Sequence, residues 1–173
     1  MNIKDYIESI PDFPKKGIMF RDITPILESS EAMHYVTKEI AKFAETTKAN
    51  LIIAPEARGF FFGIPAAMEA NIGFAPVIKP GKLPRETISV KYDLEYGTDE
   101  LQIHVDAIKE GDRVLIVDDL LATGGTVEAI VKLVESRKAE VAGIAFVIEL
   151  DDLKGRERFG DIPVLSLTHY EGE

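Results

Sequence analysis

Val114-Leu-Ile-Val-Asp118-Asp119-Leu-Leu-Ala122-Thr123-Gly124-Gly125-Thr126 sets an apolar run against two adjacent acids and then a glycine pair between threonines. The apolar run predicts a short buried strand over Val114 to Val117, and the periodicity after the glycines predicts a helix over Thr126 to Ser136. A loop that leaves a strand and opens a helix exposes unpaired backbone N–H groups at the positive end of the helix dipole. Glycines let that backbone approach a phosphate, and threonine hydroxyls add donors. Two carboxylates beside such a loop would repel a bare phosphate. They suit ribose hydroxyls, which donate to them, or Mg²⁺, which takes hard oxygen ligands. On this basis the stretch would hold a ribose 5-phosphate, with its hydroxyls over Asp118 and Asp119 and its phosphate in the loop. On spacing alone, an acidic strand end followed by an ordinary capped helix stays open. The chain carries neither the G-x-x-x-x-G-K-[ST] of a P-loop nor a G-x-G-x-x-G dinucleotide fingerprint.

Working outward, short apolar strands alternate with helices. Strands are expected at Leu51–Ala54, Phe74–Lys79, Val141–Ile148 and Val164–Leu167. Helices are expected at Ile3–Ile10, at Gly59–Ala70, and after an N-cap at Ser30, with Tyr35, Val36, Ile40, Phe43 and Ala44 on one face. Thr87–Tyr92 and Leu101–His104 read as a hairpin turning at Gly97-Thr98-Asp99, and Pro11–Pro25 as an ordered but irregular arm. The alternation predicts one α/β domain over residues 1–173, with a mainly parallel central sheet flanked by helices. Ligands of such sheets lie outside the carboxyl ends of the strands. Three strands deliver polar residues there: Asp118 and Asp119, then Glu56 to Arg58, then Lys79.

Composition narrows the partners. A net charge of −10 argues against a nucleic-acid binder. The run Lys79-Pro-Gly-Lys82-Leu-Pro-Arg85 stands out as basic against that background. With no cysteine, disulfides, thiolate metal sites and thiol nucleophiles are excluded. No stretch approaches a membrane span, and Met1 to Lys15 lacks the pattern of a secretory leader, so a cytoplasmic protein without membrane partners is expected. His34, His104 and His169 are too scattered in sequence for a metal set, and no direct protein metal ligand is expected.

The opening stretch resembles the 5-phosphoribosyl-1-pyrophosphate signature of type I phosphoribosyltransferases. F-P-K-K-G-I-M-F-R-D-I-T-P, E-A-R-G-F-F-F-G, K-P-G-K-L-P-R-E-T, Y-D-L-E-Y-G-T and L-K-G-R follow in the order of the adenine phosphoribosyltransferase family. That resemblance implies transfer of the phosphoribosyl group to adenine, with Mg²⁺ brought in by the substrate near Asp118 and Asp119, and a homodimer. It assigns the ribose to Asp118 and Asp119, and the 5′-phosphate to Ala122, Thr123, Gly124, Gly125 and Thr126. Pyrophosphate falls to Arg58, Lys79 and Lys82, with Tyr96 shielding the site. Residues 79–104 would form a mobile hairpin lid. Glu95 would be the acid–base group at the purine imidazole ring, with Arg58 beside it in the chemistry. A hood over residues 1–28 would hold adenine through Phe20 stacking, Leu120 opposite, and backbone groups around Met19 and Arg21. Relatives usually carry a basic residue where this chain has Ile78. The rivals are the same fold acting on hypoxanthine, guanine or xanthine, and a non-catalytic sensor of 5-phosphoribosyl-1-pyrophosphate.

Overall fold

The computed structural model describes residues 1–94 and 97–172. Five strands form one parallel sheet in the order β4-β3-β7-β8-β9. They are β3 (Leu51–Pro55), β4 (Gly73–Val77), β7 (Arg113–Leu121), β8 (Glu140–Leu150) and β9 (Val164–Tyr170). All five carboxyl ends therefore open on the same side. Alternate residues bury on opposite faces, as the period-two geometry of a strand requires. Ile52, Ala54, Leu115, Val117, Ala145 and Val147 pack toward α2 (Ser30–Thr46) and α3 (Arg58–Ala70). Ile53, Val114, Ile116, Ile144 and Phe146 pack toward α4 (Gly125–Ser136). Burying each large side chain of these two layers contributes roughly 1.5–3 kcal/mol. No helix among the described residues is long and apolar enough to cross a membrane.

A close approach sets where α3 begins. A Cβ on Gly59 would stand 3.0 Å from the Val117 carbonyl and 3.2 Å from the Ala54 side chain, so only glycine lets the helix start lie against β3 and β7. Arg58 is brought beside the acids of β7 as a result.

Several local expectations are corrected. Residues 3–10 are not one helix: a 3-10 turn over Ile3–Tyr6 leads into β1 (Glu8–Ile10). The arm is not wholly irregular, because β2 (Phe20–Asp22) pairs antiparallel with β1 and a short helix α1 (Thr24–Leu27) follows. The cap of α2 is Ser29, whose hydroxyl accepts from the Ala32 N–H, and Ser30 is the first helical residue. The fourth residue of the capping geometry decides this, and both serines offer the same hydroxyl. The central strand does not stop at Val117 but runs on to Leu121, paired with β8 through Asp118↔Phe146 and Leu121↔Glu149. The sheet ladder thus carries both acids inside the strand.

The hairpin comprises β5 (Thr87–Leu94) and β6 (Gly97–His104). Gly97, Thr98 and Asp99 lie in β6 and do not form its turn. Its root belongs to the core: Leu101 and Ile103 are buried, and Val90 and Tyr92 pack on the layer that holds α4. Ile78 exchanges two backbone hydrogen bonds with Gln102, at 2.9 and 2.7 Å, and so ties the hairpin to the end of β4.

At the far end of the sheet edge, Glu149 is buried and accepts from Arg156 Nε (2.9 Å), Arg156 Nη2 (2.5 Å) and Ser166 Oγ (2.7 Å). The Arg156 bond, helped by Ser166, holds its carboxyl below the ordinary 4.5. A carboxyl depressed on folding stabilises the fold above its unfolded value, and that contribution is lost as pH falls through the folded value. Glu149→Gln should therefore lower stability by about 1–2 kcal/mol at neutral pH, since Arg156 is half exposed. The deficit should shrink below roughly pH 4. Urea unfolding of both proteins across this range checks it; an equal deficit in acid would contradict the assignment.

Candidate active site

Residues from four strands and two helix starts meet above the carboxyl ends of β3, β4 and β7. A cavity of about 300 Å³ is lined by Glu56, Ala57, Arg58, Lys79, Tyr92, Asp99, Asp118, Asp119, Leu120 and Thr126, among others. A smaller one of about 130 Å³ lies under the loop Ala122–Thr126 and shares Asp118, Leu120 and Thr126 with the first. The acid pair and the glycine loop thus line two adjoining cavities that share a wall of Asp118, Leu120 and Thr126.

The loop has the features an anion needs. Gly124 sits at φ +87°, a left-handed conformation that favours glycine, and forms the N-cap of α4 without any side-chain cap. The first N–H groups of α4 are left for an outside acceptor. The C-terminal segment braces the loop from behind. Arg158 Nε donates to the Thr123 carbonyl at 2.7 Å, and its Nη1 pairs with Glu128 at 3.1 Å. A Cβ on Gly124 would come 3.0 Å from the Gly155 carbonyl and 3.3 Å from the Phe159 ring. The L-K-G-R block and the residues just after it are thus the floor of the loop. Sequence reading missed Arg158, since nothing local links it to a loop more than 30 residues earlier.

The charges are paired, acid to base. Arg58 Nε donates to Asp119 Oδ2 at 2.6 Å. The Asp119 charge holds the Arg58 guanidinium more firmly protonated than usual. This partner explains a cation at a helix start, where the dipole alone disfavours one. Lys82 Nζ meets Glu56 Oε2 at 2.9 Å, while the Lys79 backbone N–H donates to Glu56 Oε1 at 2.7 Å. These two contacts, the backbone one first, lower the Glu56 carboxyl. Lys79 Nζ lies 3.4 Å from Asp99 Oδ2, to which the Tyr92 hydroxyl donates at 3.3 Å. The third cation of the Lys79–Arg85 segment, Arg85, pairs with Asp106 at 3.2 Å, so each cation of this exposed run has a carboxylate partner. Asp99 and Tyr92 are site residues that the sequence did not single out; Glu56 was placed at this edge with Ala57 and Arg58 but given no role of its own.

Asp118 is different. Burial, reinforced by the Asp119 charge, pushes its carboxyl well above the ordinary value. One oxygen accepts the Asp119 backbone N–H at 2.8 Å. The pair resists carrying two charges, and hydrogen-bond donors or a cation laid across it would relieve that. The donor set fits Mg²⁺ carried by a phosphate ligand better than a bare ion, because Arg58 already occupies Asp119. The only group among the described residues with metal-like spacing, Glu149, Asp151 and His169, does not line this cavity, and Arg156 and Ser166 engage its buried carboxylate.

Met19, Phe20 and Arg21 do not line either cavity. Phe20 and Arg21 lie on β2, and Phe20 meets the Phe13 ring edge-on at 5.1 Å between centroids. Phe13, Ile18 and Met19 expose apolar surface. Glu95 and Tyr96 lie outside the described residues, between the ends of β5 and β6.

A parallel sheet that gathers an acid pair, a glycine-turned helix start and paired cations at its strand ends is the frame of a sugar-phosphate transferase. A family model described as the phosphoribosyl transferase domain matches residues 25–171. The adenine phosphoribosyltransferase of Thermoanaerobacter pseudethanolicus is 55% identical at a TM-score of 0.92, over 97% of this chain and 98% of that one. That of Rhodothermus marinus is 44% identical at 0.90, over 97% and 96%. That of Saccharomyces cerevisiae, solved with an imino-altritol bisphosphate and adenine, is 38% identical at 0.90, over 95% and 96%. The chain belongs to the phosphoribosyltransferase family and, within it, to the adenine phosphoribosyltransferases.

Proposed function

We infer that this enzyme joins adenine to the phosphoribosyl group of 5-phosphoribosyl-1-pyrophosphate, giving AMP and pyrophosphate, as a cytoplasmic step of purine salvage. The observation that carries the reading is the pair of cavities meeting at Asp118, Leu120 and Thr126. The 5′-phosphate would fill the smaller one, on the N–H groups of Gly124 to Thr126 and the threonine hydroxyls. The ribose would lie across Asp118 and Asp119. Pyrophosphate would take Arg58, Lys79 and Lys82 from their carboxylate partners.

As the bond from C1 to pyrophosphate lengthens, the ribose gains oxocarbenium character, and the carboxylates beside it stabilise the developing positive charge. Glu95 would accept the N9 proton of adenine as the new bond forms. Mg²⁺ carried in with the substrate near Asp118 and Asp119 would offset pyrophosphate charge in a cleft that already holds four carboxylates. Adenine would lie between Leu120 and the hood, its edge read by the backbone around Met19 and Arg21. A lid over residues 79–104 would move about a hairpin root in which Leu101 and Ile103 are buried. Phe61, Ile64, Pro65 and Met68 lie on one face of α3 at i, i+3, i+4 and i+7; three of the four are exposed, which supports a homodimer.

The reverse reaction tests the reading. AMP with pyrophosphate and Mg²⁺ should release adenine, and chelating the metal should stop it. Release from IMP or GMP in its place would move the assignment to another purine. Gly124→Ala adds a Cβ in a left-handed conformation against the Gly155 carbonyl, at a cost of about 1–2 kcal/mol. It should raise KM for 5-phosphoribosyl-1-pyrophosphate by roughly tenfold. Steady-state kinetics reads this, and an unchanged KM would remove the loop from the phosphate site.

A further inference from the structure

Tyr170 ends β9 at the edge of the sheet, and two cations of the hood stand over its ring. Lys4 Nζ lies 4.5 Å and Arg21 Cζ 3.9 Å from the ring centroid. Lys4 belongs to the turn Ile3–Tyr6, which packs on β9, and Arg21 to β2. Arg21 also donates to Ser9 Oγ on β1, while its Nε is buried with no oxygen acceptor. The ring face is the partner left to that part of the guanidinium.

Among the described residues, the hydrogen bonds of residues 2–21 all stay within the hood. Ile3, Ile7, Ile23 and Ile26 anchor the hood in the core, and the ring of Tyr170 is what holds its two cations, Lys4 and Arg21, to the sheet edge. The side chain of Arg21 points to Tyr170, while its backbone and that of Phe20 lie in the β1–β2 ladder.

We propose that Tyr170 is a positioning residue for the base: its ring holds Lys4 and Arg21 and so fixes the strand whose backbone reads adenine. This rests on the reading that the hood binds adenine. Without the ring the hood spends less time in its docked arrangement, and apparent affinity for the base falls by that fraction. The ribose and phosphate ends, built on β7 and α4, do not depend on it.

Three variants at Tyr170 and one at Lys4 test this. Tyr170→Phe keeps the π face and should leave the adenine KM within about twofold of the parent. Tyr170→Leu keeps apolar bulk without a π face, and Tyr170→Ala keeps neither. Both should raise the adenine KM roughly five- to thirtyfold, with the KM for 5-phosphoribosyl-1-pyrophosphate and kcat changing less than about twofold. Lys4→Met, on an exposed turn residue, should raise the adenine KM by about two- to fivefold and decides the matter if Tyr170→Ala fails to fold. An adenine KM unchanged in Tyr170→Leu and Lys4→Met overturns the proposal. So does a parallel rise in both substrate KM values. If the parent protein itself forms no AMP from adenine, the underlying reading falls; if it does and these variants match it, only the role of Tyr170 falls.

Discussion

Replacing both Asp118 and Asp119 with asparagine is expected to weaken 5-phosphoribosyl-1-pyrophosphate binding and lower kcat/KM by roughly a hundred- to ten-thousandfold. Hydrogen bonds to charged groups are worth about 1.5–3 kcal/mol each, and two are lost here. Asparagine keeps the size and an acceptor oxygen, so the change reports charge and not shape. The transition state should suffer more than the ground state, because positive charge at the ribose grows only as pyrophosphate departs. Arg58 would also lose the partner that now holds it at 2.6 Å, and a freer guanidinium would compensate in part on the pyrophosphate side. Calorimetric titration gives the affinity and initial rates give kcat/KM. Unchanged affinity in a folded double variant would remove the ribose from these acids.

Glu95→Gln is expected to lower kcat by about 10²- to 10⁴-fold while changing the adenine KM much less, the range set by a positioned general acid–base group. Glu95 itself lies outside the described residues, but the strands on either side bring their neighbours to the site. Tyr92 on β5 and Asp99 on β6 are directly paired, and both line the larger cavity. A single-turnover measurement separates chemistry from product release. Wild-type turnover in this variant would give the proton to another group.

The parallel sheet was legible because burial writes itself into the sequence: β3, β7 and β8 are continuous apolar runs, and their alternation onto two faces needs no further information. The acid pair and the loop were legible for the same reason, since both follow directly on the buried run Val114–Val117. What escaped was pairing between distant segments. The bonds from Lys82 to Glu56 and from Arg158 to the Thr123 carbonyl span 26 and 35 residues, with no periodicity to announce them. Asp99 read as a turn residue because Gly97 precedes it, yet strand register places it opposite Tyr92 and within reach of Lys79. Phe20–Asp22 is too short and polar to show a strand pattern, and it is one only through its pairing with Glu8–Ile10. The basic run showed its charge but not its partners, which lie on three other elements.

The central claim is that one site joins ribose 5-phosphate to adenine. The most direct measurement incubates the protein with Mg²⁺, 5-phosphoribosyl-1-pyrophosphate and each purine base in turn, and identifies the nucleotide formed. AMP from adenine, with hypoxanthine, guanine and xanthine left unconverted, is the predicted result. IMP, GMP or XMP without AMP, or no nucleotide from any base, would contradict it.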